Sequence, residues 1–135
     1  MLDPYLPEDD DIAREACRAY ARTINTLDVT HVEPWLHKDM MYASQQVFSE
    51  IRGKRRYVAY LRGKLQTIRK KGSLIRAEIA YSPLGANPCV ILAQWAEENW
   101  DHSVLFEMED GKIKRLDMCI VPDPSECRRT GERPE

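Results

Sequence analysis

The chain is poor in the features that most readily announce a chemistry. It has four cysteines, Cys17, Cys89, Cys119 and Cys127, and no two are close in sequence. Metal sites favour short ligand spacings, so the cysteines read as buried or free reduced thiols, and neither a metal nor a disulfide framework is expected. No apolar run approaches the ~20 residues that span a bilayer, and the chain opens Met1-Leu2-Asp3-Pro4 without a basic and apolar leader. The expectation is a cytoplasmic protein with no membrane partner. None of the three histidines pairs by pattern with a serine or cysteine nucleophile, and no glycine-rich phosphate loop is visible. A net charge of −2 argues against wholesale affinity for nucleic acid. There is no internal repeat, and 135 residues suit one domain.

What is present is periodicity. Ala13, Cys17, Tyr20, Ile24 and Leu27 recur at helical spacing, predicting a helix from about Ile12 with Asp10 and Asp11 as caps. Residues before it read as a loose lead-in. Thr30 is a candidate cap for a short second helix through Trp35. Met40–Gln45 and Val47–Ile51 alternate as paired strands. Gly53 then opens a long helix with the stripe Tyr57, Leu61, Leu65 and Ile68, closed by Lys70-Lys71-Gly72. Strands are predicted near 73–82, 88–97, 102–109 and 112–121, the last two joined by Asp110-Gly111. Residues 1–121 would form the domain and 122–135 a mobile C-terminal tail.

In the strand near 88–97, Cys89, Ile91, Ala93 and Trp95 share one face and Val90, Leu92 and Gln94 the other. Two apolar faces need two covers, and a second copy of the chain is the simplest outer one, so a homodimer through the outer sheet face is expected. Glu78 shares a face with Arg76 and reads as a surface or interface partner. The stretch Arg52–Lys71 holds nine lysines or arginines and no acid. Most fall off the apolar stripe, so a solvated helix face is the first reading and an anionic protein surface the second; nucleic acid ranks low.

The order helix, short helix, hairpin, long helix and four-stranded meander resembles the nuclear transport factor 2-like superfamily, which includes SnoaL-like and ketosteroid isomerase-like proteins. Tyr20, Leu27-Asp28, Val32–Leu36, Met40–Ser44, Ile51–Lys54, Tyr57–Leu61 and Asp110–Leu116 carry the resemblance. It implies an α+β conical half-barrel, cystatin-like, with a curved mixed sheet wrapped around a long helix. In ketosteroid isomerases a helix-one tyrosine, here Tyr20, donates to the enolate oxygen. Their catalytic aspartates fall at about Ser44 and Ser103, and a serine cannot replace a carboxylate base near neutral pH. SnoaL-like cyclases place an acid on the last strand, near Asp117, which alternation nevertheless puts on the face of Arg115 and Cys119. His37 with Asp39 is a further acid–base pair to weigh.

The leading expectation is a small-molecule binding protein for an apolar or aromatic ligand, its cavity lined by Tyr20, Trp35, Tyr42, Ser44, Tyr57, Tyr60 and Gln94, with no cofactor. The alternatives are a cofactor-free isomerase, dehydratase or hydrolase using Asp117 and Tyr20, and a non-catalytic protein-interaction module of accessory or immunity type.

Overall fold

The structure, a computed structural model, describes residues 7–85, 87–96 and 98–135. Of the lead-in expected over residues 1–10, residues 1–6 lie outside them, as do Ala86 and Glu97, and the rest is helical. Helix α1 spans Pro7–Thr26, starting earlier than the apolar stripe suggests. Pro7 fits a first helical turn, which has no use for its missing amide hydrogen. Two single 3₁₀ turns, Val29–His31 and Glu33–Trp35, replace the expected short helix. Asp28, not Thr30, is the cap: its carboxylate accepts from the Thr30 amide at 3.0 Å.

Strands β1 (Leu36–Ser44) and β2 (Val47–Arg52) form a hairpin. Helix α2 (Lys54–Lys71) follows and ends on Gly72, whose φ of 65° only glycine adopts cheaply. The meander consists of β3 (Ile75–Tyr81), β4 (Pro88–Gln94), β5 (Trp100–Glu109) and β6 (Lys112–Cys119). A seventh short strand, β7, is Arg128–Arg129. The sheet order is β2-β1-β6-β5-β4-β3-β7, with β1 and β6 parallel and the other pairs antiparallel. The two helices lie on the concave side, where Tyr20, Ile24, Tyr57, Leu61 and Leu65 pack against Val90, Leu92, Val104, Leu116 and Met118.

The outer face carries its own small core of Ala80, Cys89, Ile91 and Cys127, with Trp100 and Leu105 beside it. The chain's own C-terminal segment packs over it. The reading of 122–135 as a mobile tail is corrected. The segment extends the β3 edge through β7, and the Ile79 amide donates to the Glu132 carbonyl at 2.8 Å. An edge strand with free amides and carbonyls gains from such pairing.

Glu78 anchors this segment, so its surface or interface reading is corrected too. Only 1% exposed, its carboxylate accepts from Arg129 at two 2.8 Å contacts, from Arg133 at 3.1 Å and from the Gly131 amide at 3.3 Å. Burial pushes the carboxyl up, but the two guanidiniums and the amide outweigh it and hold it below the usual carboxylate range. Both guanidiniums also stack on Trp100, at 4.4 and 5.1 Å from the ring centre. Arg18 of α1 grips Glu132 at 2.6 and 3.1 Å, and Asn25 donates to the Pro134 carbonyl at 2.7 Å.

Candidate functional site

A cavity of about 190 Å³ lies between the helices and the concave sheet face. Tyr20 and Ile24 reach it from α1, and Tyr57, Tyr60, Leu61, Lys64, Leu65, Thr67 and Ile68 from α2. The sheet adds Tyr42, Ile75, Leu92, Gln94 and Met118, and Trp95 stands at the mouth. No carboxylate and no imidazole lines it among the described residues. Its one charged group is the Lys64 ammonium.

Four phenols converge there. The Tyr42 ring lies 5.2 Å from Tyr57 and 5.4 Å from Tyr60, centre to centre, in tilted contacts. Tyr20 meets Phe106 edge-on at 5.5 Å. The Tyr42 hydroxyl lies near those of Tyr60 and Ser44, and Lys64 donates to Tyr60 at 3.3 Å. Tyr20 and Tyr57 are 2% and 1% exposed, and neither hydroxyl hydrogen-bonds another described residue. Buried polar groups are ordinarily paired, so these two hydroxyls are left to the cavity. Burial, reinforced by neighbouring phenols, pushes Tyr20, Tyr42 and Tyr57 well above the ordinary tyrosine value. All three therefore keep their protons and can donate to a ligand oxygen.

The cavity thus gathers Tyr20, Tyr42, Tyr57, Tyr60 and Gln94 and leaves out Trp35, Ser44 and Asp117. Trp35 packs, half-buried, against the rim of the core. Ser44 lies past an irregularity in β1, where its hydroxyl accepts from the Gln46 amide at 3.3 Å. Asp117 as a base in the cone is corrected by strand alternation: Leu116 and Met118 face inward, so Asp117 faces out. There it receives the Arg115 Nε at 2.9 and 3.1 Å. Ser103 is outward as well and donates to the Pro122 carbonyl at 2.7 Å.

His37 and Asp39 make no acid–base pair, because the His37 Nδ1 accepts from the Asp39 backbone amide at 3.0 Å. His37, Glu109 and Asp110 do cluster closely enough to hold an ion. With Nδ1 accepting, however, the neutral ring carries its proton on Nε2, the atom facing Glu109 at 3.8 Å, and Lys114 already neutralises that carboxylate at 3.1 Å. The cluster is a surface ion pair.

Two features of the site escape the sequence reading. Trp95 breaks the alternation: its φ of 73° swings the ring from the outer face to the cavity mouth, where it is 72% exposed. The neighbouring turn residues Glu98 and Asn99 are the only local hint. The other is His102, which is 7% exposed, 2.8 Å from Asp101 and 3.3 Å from the amide of Gln94. Gln94 separates it from the cavity.

No family model and no curated protein matches the sequence. Solved structures do resemble the fold. A SnoaL-like protein of unknown function from Burkholderia thailandensis has a TM-score of 0.63 at 13% identity over 81% of this chain and 93% of that one. An LEH-like epoxide hydrolase from M. tuberculosis has 0.55 at 24% identity over 80% and 81%. An NTF2-like protein of unknown function from Mesorhizobium loti has 0.64 at 10% identity over 84% and 94%. Identities this low speak to architecture alone. The chain adopts the nuclear transport factor 2-like fold, an α+β cone whose curved sheet is not closed into a barrel.

Proposed function

We propose that the protein binds a small, largely apolar molecule inside the cone and performs no acid–base chemistry on it. The observation that carries this reading is the pair of unpartnered Tyr20 and Tyr57 hydroxyls in a cavity without a carboxylate or imidazole. Such a wall offers ring contacts and fixed hydrogen-bond donors but nothing to take a proton from carbon or to activate water. A cavity of about 150 Å³ accepts a benzene ring, so the space suits a one-ring compound or an aliphatic chain of similar volume. The protein-interaction reading is weakened by the same cavity, because a cone serving only as a scaffold gains nothing from an open apolar space lined with hydroxyl donors.

Titration calorimetry with one-ring aromatic compounds tests the proposal. Saturable one-to-one binding is expected, and Leu92→Trp, which fills the cavity, abolishes it while circular dichroism shows the fold intact. No binding up to millimolar concentration defeats the reading. A second reading, an acid–base enzyme, rests on the Asp101–His102 pair reaching the cavity through Gln94. It is supported only if a bound compound is turned over and His102→Ala stops turnover without weakening binding. A homodimer on the outer face also remains a proposal, supported by exposed Leu84 and Val121 beyond the C-terminal cover; sedimentation velocity decides it.

A further inference from the structure

The charge around the cavity narrows the class of ligand. Helix α2 forms one long wall and carries eight lysines or arginines and no acid between Lys54 and Lys71. Among the described residues none of the eight makes an ion pair. Two of them meet the ligand space. Lys64 lines the cavity, and Lys71, two helical turns further on the same face, lines a recess of about 90 Å³ that continues it past Thr67, Ile68 and Trp95. Lys64 is held rather than free to swing. Its ammonium donates to the Tyr60 hydroxyl at 3.3 Å and stands 5.6 Å from the Tyr60 ring centre, which leaves further N–H donors for a ligand.

We infer that the ligand is a one-ring carboxylate, its ring against the Tyr20, Tyr57, Leu61 and Leu92 wall and its carboxylate at the mouth on Lys64. The inference rests on the binding reading above. Among the described residues every charged group lining the groove is a cation, and the phenols of its wall can donate, so a negative oxygen finds partners along it. A ligand ammonium would meet only like charge. An alcohol of the same shape keeps the ring contacts and forgoes the ion pair. Water at the exposed mouth screens that pair in part, but the run of cations along α2 raises the local anion concentration there.

The test compares phenylacetate, 2-phenylethanol and 2-phenylethylamine by calorimetry at low salt. Phenylacetate is expected to bind at least about tenfold more tightly than the alcohol, and the amine least. Lys64→Met, at an exposed position that should not disturb folding, brings acid and alcohol to near parity by weakening only the acid. Raising salt to about 0.5 M narrows the gap in the wild type. Lys71→Met, further along the groove, narrows it less. Alcohol binding as tightly as acid, or an unchanged preference in Lys64→Met, overturns the inference and leaves the binding reading standing. If none of the three binds the wild type while a larger apolar compound does, the one-ring carboxylate is wrong and the cavity reading survives. If nothing binds, both fall.

Discussion

Two buried polar regions of this molecule are built on opposite principles. At the outer edge the Glu78 carboxylate is wrapped by Arg129, Arg133 and the Gly131 amide, and the guanidiniums are stacked in turn on Trp100. Inside the cone the Tyr20 and Tyr57 hydroxyls open onto the cavity and hydrogen-bond no other described residue. The first region satisfies its polar groups within the chain and holds the C-terminal segment in place. The second leaves them unsatisfied and thereby keeps hydrogen-bonding capacity for something else. A polar group closed off by partners within the chain serves the fold, whereas one facing a cavity keeps its hydrogen bond for whatever enters.

The largest expected effect follows from breaking the satisfied side. Glu78→Ala removes the anchor of the C-terminal segment and leaves two guanidiniums without their shared anion. Unfolding in urea should show a loss of about 3 kcal/mol, and limited proteolysis should cut within 122–135. A loss below about 1 kcal/mol would mean that the segment is held by its backbone pairing and not by its charges.

The pH response sharpens the same contrast. Glu78 and Glu132 both have carboxyls held below their ordinary value, Glu78 against the pull of burial and Glu132 chiefly by its hydrogen bond from Arg18. A depressed carboxyl contributes stability that is complete above the unfolded-state value of about 4.3 and is lost as pH falls through the folded value. Stability should therefore drop on acidification below about pH 5, and the drop should be shallower in Glu78→Gln. The cavity phenols, shifted upward, contribute nothing to this acid limb.

On the unsatisfied side the sign changes. Tyr57→Phe deletes a cavity-facing hydroxyl with no described protein partner, so stability should stay within about 1 kcal/mol of wild type. Affinity for a ligand with an acceptor oxygen should weaken in the same variant. A large destabilisation would show that the hydroxyl is structural and that both polar regions serve the fold. The smallest effect expected is at the thiols of the outer core. Cys89 and Cys119 are pushed up, by burial first, to about 12 and about 11. Thiol reagents at pH 8 should label them only slowly until the protein is unfolded.

Local signals were readable where one residue type dictates a backbone state or one period dictates a face. Gly72 closes α2, and Asp110-Gly111, with φ of 54° and 72°, makes the hairpin between β5 and β6. The stripe Tyr57, Leu61, Leu65 names the inner face of α2, and alternation already set Asp117 against Leu116 and Met118. Trp95 was not readable, because a left-handed tryptophan follows no propensity and reverses the alternation around it. The C-terminal segment misled for a related reason. Pro122, Pro124 and a run of charges are the composition of a loose tail, and nothing local in Arg129 or Arg133 reveals a carboxylate some fifty residues upstream.

By itself the sequence determined the elements, their order and the inward face of each, since these follow from period, turn chemistry and steric limits acting within a few residues. The tertiary structure alone decided what those faces enclose. It covered β4 with the chain's own end, paired Glu78 and Arg115–Asp117 on the outside, and emptied the cone of carboxylates while leaving Lys64 at its mouth. Such outcomes depend on which distant side chains share a desolvated space, and burial and charge pairing are properties of that space rather than of any stretch of chain.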